Sequence, residues 1–140
     1  MTHPLLPMLF LLPVLAACGA RNPVSAMPGG TTSGQAKETV GEVTIGGHTF
    51  RIVQEGPVIE GKEASFLFES SATDRPLPTA RAWIGVQSGE GSQKASLSKV
   101  GGGTLNGRVG VPERIPEGAQ LWLEVEVGDA TVLNSFPWHR

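Results

Sequence analysis

From Glu42 onward, short segments of alternating apolar and polar residues are separated by turns rich in Gly, Pro and Asp, and no helical apolar period lasts three turns. These two features predict an all-β fold, an antiparallel immunoglobulin-like β-sandwich of about seven to eight strands. Composition agrees, since 19 Gly and 11 Pro in 140 residues favour turns over long helices. The length suits one domain. The chain divides into an apolar leader (1–17), a cysteine and flexible tether (18–40) and the sandwich (41–140).

The strands follow in order. "EVTI" and "HTFRIVQE", residues 42–45 and 48–55, flank Gly46-Gly47, a pair able to take the positive φ of a two-residue hairpin. "EASFLFES", 63–70, places Ala64, Phe66 and Phe68 on one face. "ARAWIGV", 80–86, precedes the loop "QSGEGS" and the strand "QKASLSK", 93–99. Gly101 to Gly103 makes the next turn, and "TLNGRVGV" runs to Val111, with the Asn106-Gly107 pair leaving one hairpin register open. "QLWLEVEV", 120–127, alternates most clearly: Leu121, Leu123, Val125 and Val127 inward, Trp122, Glu124 and Glu126 outward. Such alternation belongs to a sheet with one wet face. Gly128-Asp129-Ala130 then joins it to "TVLNSFP". A closed barrel is the alternative architecture.

Leu5 to Ala17 is apolar and uncharged, shorter than the roughly 20 residues that span a bilayer and suited to the h-region of an export signal. The preceding "MTHP" carries no Lys or Arg. The run ends on the only cysteine, and Leu15-Ala16-Ala17-Cys18 resembles the lipobox of bacterial lipoproteins. The resemblance implies a diacylglyceryl group on the Cys18 thiol, cleavage just before Cys18, and acylation of the new amino terminus. Each buried CH2 contributes about 0.8 kcal/mol, so two or three acyl chains hold a protein firmly. The expected protein is anchored in the membrane of the bacterial cell envelope without spanning it. In the sorting pattern that the resemblance implies, an Asp after the cysteine retains the protein in the inner membrane; the residue here is Gly19, which favours the periplasmic face of the outer membrane where the cell is Gram-negative. Secretion after Ala20 is the alternative. Residues 19–40, including Met27, are rich in Gly, Ser, Thr and Pro and have the composition of a linker of about 25 Å mean span.

Composition excludes several function classes. Lys+Arg number 11 against 13 Asp+Glu, a net charge of -2 without a basic cluster, so nucleic acid is not an expected partner. One cysteine excludes an intrachain disulfide and a multi-thiolate zinc site. His3 is lost with the leader, and His48 beside a turn and His139 in the tail read as surface histidines, so no metal or cofactor is expected. No GxSxG or comparable nucleophile motif occurs, and Glu124 and Glu126 share a wet strand face, so an enzyme is not expected. "SGEGSQK", 88–94, has the wrong spacing for a phosphate loop and reads as a turn.

The tryptophans are the remaining lead. Strict alternation puts Trp83 and Trp122 on polar faces, where Trp83, Arg81, Trp122 and Glu124 could form an aromatic and charged interaction patch. Burial of Trp83, as immunoglobulin-like domains bury the Trp of that strand, or coverage by a loop competes with the patch. The segment "GRVGVPERIPEGAQLWLEVEV" resembles, through Val109, Val111, Pro112, Pro116, Gly118, Leu121 and Leu123, the end of small exported immunoglobulin-like domains of the YtkA-like kind. That resemblance implies an exported sandwich; some relatives accompany copper handling or respiratory-complex assembly. The expected function is a non-enzymatic interaction module anchored through Cys18, its partner an unidentified envelope protein. A periplasmic copper or zinc handling module using His48 and His139 ranks second, an enzyme third.

Overall fold

A computed structural model describes residues 34–140. The leader, Cys18 and Met27 lie outside the described residues. Every element among the described residues is a strand: β1 (Lys37–Ile45), β2 (His48–Glu55), β3 (Glu63–Ser70), β4 (Ala80–Gly85), β5 (Ala95–Ser96), β6 (Ser98–Gly101), β7 (Thr104–Gly110), β8 (Gln120–Val127) and β9 (Ala130–Phe136). They form two antiparallel sheets, β1-β2-β3-β7-β6 and β5-β4-β8-β9. Strands β2-β3-β7-β6 stand in the A-B-E-D order of an immunoglobulin-like sandwich, and β5-β4-β8-β9 in its C′-C-F-G order. β1 is an added strand at the A side.

Each expected strand is present, with three differences in detail. β1 begins at Lys37, so residues 37–40 belong to the sandwich and not to the tether. A bulge between Thr39 and Gly41 breaks its pairing with β2, and Val40 there is buried in the core. The single strand expected over 93–99 is two strands in different sheets, because the chain crosses from one layer to the other at Leu97. Asn106-Gly107 is no turn: it sits inside β7, opposite Leu67 and Phe66 of β3. A side chain at residue 107 would collide with Leu97, so the glycine leaves room for the crossover to pack on the core.

The core lies between the sheets and follows the period of two. Phe50 and Ile52 of β2, Phe66 and Phe68 of β3, and Leu121 and Leu123 of β8 are each at most 1 % exposed. Burying side chains of this size contributes about 1.5 to 3 kcal/mol apiece, which drives the layers together. The β1–β2 hairpin turns on Gly46 and Gly47, with φ of 60° and 80°, as a two-residue turn of this hand requires. The connection carrying Pro112, Pro116 and Gly118 links β7 to β8 across the sandwich.

Candidate functional site

β4 and β8 are neighbours, and Trp83 stands directly opposite Trp122. Alternation sends Ala82 and Ile84 into the core, leaving Arg81 and Trp83 on the outer face. The two indoles stack there, ring centroids 6.3 Å apart and planes 17° from parallel. Arg81 faces Glu124 in the next row, with Nη1 3.6 Å from Oε1. All four residues expected to form a patch therefore do share one face.

Exposure decides between the open patch and coverage by a loop, in favour of coverage. Trp83 has no exposed surface, although it points away from the core. The connection from β4 to β5, residues 86–94, folds back over it. At Gly85 the backbone takes φ 150°, and a side chain on that residue would collide with Ser92. The Ser92 hydroxyl donates to the Ile84 carbonyl at 2.7 Å, and the Trp83 indole N–H donates to the Val86 carbonyl at 2.8 Å. Lys94 closes the cover, its Nζ 4.2 Å from the Trp83 ring centroid and 2.9 Å from Oε2 of Glu124. The Trp122 indole N–H donates to the Gly85 carbonyl at 3.0 Å. The exposed two-tryptophan patch is thus replaced by a closed stack, with Trp83 sealed and Trp122 half-buried.

Lys94 is the member that sequence reasoning missed. "SGEGSQK" reads as a turn, and the turn exists, with Gly89 and Gly91 at φ 77° and 71°. Its length and small residues permit a fold-back, yet local sequence carries no signal for which ring it covers. Glu124, with cations on both sides, holds the cluster together electrostatically. An exposed cation–π contact contributes about 0.5 to 1 kcal/mol, so the cover is held by several modest contacts.

Of the two histidines, His139 is at the surface as expected and His48 is not. His48 is not a surface residue: it is 4 % exposed, its ring lies 5.5 Å from Phe50 in a stacked arrangement, and Nδ1 is 2.8 Å from the Ser70 hydroxyl. The period of two carries that signal, since His48, Phe50, Ile52 and Gln54 share the inward face of β2. His139 is half-exposed, with Nε2 3.4 Å from Oε1 of Glu38. The buried Gln54 amide clamps its backbone, accepting from the His139 N–H at 2.9 Å and donating to its carbonyl at 2.6 Å. His48 and Gln54 lie six residues apart on one strand, which separates the two histidine positions by about 20 Å. One ion cannot bridge them. Among the described residues no three or more His, Cys, Asp or Glu side chains are grouped to hold a metal.

The described residues define an immunoglobulin-like sandwich with one outer face closed by its own loop. No family model matches the chain, and no curated protein or solved structure matches it.

Proposed function

We propose that the chain is a membrane-anchored lipoprotein of the bacterial cell envelope whose sandwich serves as a non-enzymatic interaction module. The observation that carries this is Leu15-Ala16-Ala17-Cys18 at the end of the uncharged apolar run. Acyl chains on Cys18 supply the anchor, and residues 19–36 separate it from β1. One feature of the domain supports an interaction role. Its free backbone groups lie at sheet edges, where strand addition is the usual mode of recognition. With Trp83 sealed, an edge is a better docking element than the tryptophan face.

The test is fractionation of cells making the full chain, with labelled fatty acid. The native chain is expected in the membrane fraction and labelled, and Cys18→Ser is expected either released or unprocessed. Unchanged lipid labelling and membrane association in Cys18→Ser would overturn the anchor.

A further inference from the structure

An edge strand carries unpaired backbone N–H and C=O groups that template another strand unless something blunts it. Three of the four edges in this sandwich are blunted. β5 has only 2 residues. β6 has 4, includes Lys99, and its pairing is broken between Lys99 and Gly101. β1 carries Lys37, Glu38 and Glu42 and the bulge between Thr39 and Gly41. β9 has none of these devices. It is 7 residues long, "ATVLNSF", without charge or proline, and pairs with β8 without a register shift. Ala130 to Ser135 are exposed or half-buried, and among the described residues their backbone bonds only to β8.

The outward groups of β9 can be assigned. Val127 and Ala130 close a two-residue turn on Gly128-Asp129, and such a closing pair exchanges both hydrogen bonds. By alternation Val132 and Asn134 also bond β8, while Thr131, Leu133 and Ser135 direct their N–H and C=O to the free edge. The side chains of those same three residues lie on the outer face, in the rows of Glu126, Glu124 and Trp122.

We infer that β9 is a self-pairing edge: two copies of the chain join β9 to β9, antiparallel, with the two-fold axis at Leu133. Two 4-stranded sheets then merge into one continuous sheet. That register pairs every outward group of the strand, sets Thr131 against Ser135 as a hydroxyl pair, and covers Leu133 with its own copy. Self-complementarity selects a second copy over a foreign strand: the outward residues read Thr131, Leu133, Ser135, a hydroxyl on either side of the axis residue, as a two-fold contact requires. The strand itself is neutral, so no like charges meet along it. The hairpin tip leaves room, since a side chain on Gly128 would meet nothing within 4 Å. The inference rests on the interaction-module reading and names its partner as a second copy.

Disulfide trapping in cells making the full chain tests it. On the axis, two hydrogen-bonded residues have Cα atoms about 5.5 Å apart, inside the range of about 4.4 to 6.8 Å that a disulfide tolerates. Leu133→Cys is therefore expected to give, on oxidation, a homodimer with the disulfide mapped to residue 133. Thr131→Cys alone faces Ser135 and is expected to give none, whereas Thr131→Cys with Ser135→Cys restores it. Adding Leu133→Pro to that pair should abolish the crosslink, because it removes an outward N–H without touching the β8 ladder. Its fold is checked by circular dichroism. A Leu133→Cys homodimer no more abundant than that of Lys99→Cys on β6 would overturn the inference. So would trapping of residue 133 only to a different protein, which would leave the interaction-module reading standing.

Discussion

Trp83 shows what alternation reveals at a single residue and what it leaves out. The period of two placed it on the outer face of its sheet, and there it is. Exposure depends on what covers that face, here a loop of small residues and Lys94, and no local pattern encodes such a fold-back. Because it is sealed, Trp83→Ala should behave as a core truncation and cost about 3 to 5 kcal/mol in urea unfolding. Trp122→Ala should cost less, and equal losses would contradict the cover. At His48 two sequence signals compete: its place beside a turn suggests the surface, while its spacing from Phe50 and Ile52 places it inside, and the spacing prevails. The Lys37–Glu55 pair gives a pH signature. A hydrogen bond from Lys37 at 2.8 Å holds the Glu55 carboxyl below its ordinary value of 4.5, desolvation opposes this, and a bond from the Ser65 hydroxyl adds to it. The stabilisation from Glu55 is thus present above that ordinary value and is lost as pH falls through the lowered one. The same partner raises Lys37 above its ordinary 10.5, through the hydrogen bond first and then charge, so its share is present below 10.5 and fades as pH rises through the raised value. Glu55→Gln should reduce the acid dependence of stability; an unchanged acid limb would show the pair to be inert.

Among elements, the hairpins were legible because their turns and alternation agree. Gly46-Gly47 between two alternating runs fixes β1 and β2, and Gly128-Asp129 does the same for β8 and β9. The segment 93–99 was not legible as two strands. Its alternation runs through Leu97 without interruption, but the tertiary fold uses Leu97 to change sheets, its N–H donating to the Ala80 carbonyl at 2.9 Å. Gly107 has the same lesson, since a glycine that looks like a turn residue instead makes space for Leu97. The loop over Trp83 depends on Gly85 in a similar way. Gly85→Ala should strain the backbone and displace Ser92, giving a red-shifted tryptophan emission and faster amide exchange over 86–94 while β2 and β3 stay protected. Unchanged emission would show that the loop does not need that glycine.

At the scale of the whole molecule, the immunoglobulin-like layout is legible from strand number and turn spacing, and β1 from residues 42–45 and their turn, whereas its first residues, 37–40, carry the tether's composition and no alternation to mark them as strand. Strand order fixes which edges are free, which explains why an interaction surface could not be placed from sequence alone. The tryptophan of β4 points away from the core, opposite to the strand-C tryptophan of antibody domains. The domain therefore keeps its core aliphatic and phenylalanine-rich and uses its indoles to fix a loop. The proposed anchor is open to a direct measurement: mass spectrometry of the amino-terminal peptide of the mature protein extracted from membranes. This peptide is expected to begin at Cys18 and to carry a diacylglyceryl thioether with an acylated amino group. An unmodified Cys18 thiol, or a mature amino terminus on either side of Cys18, would contradict it.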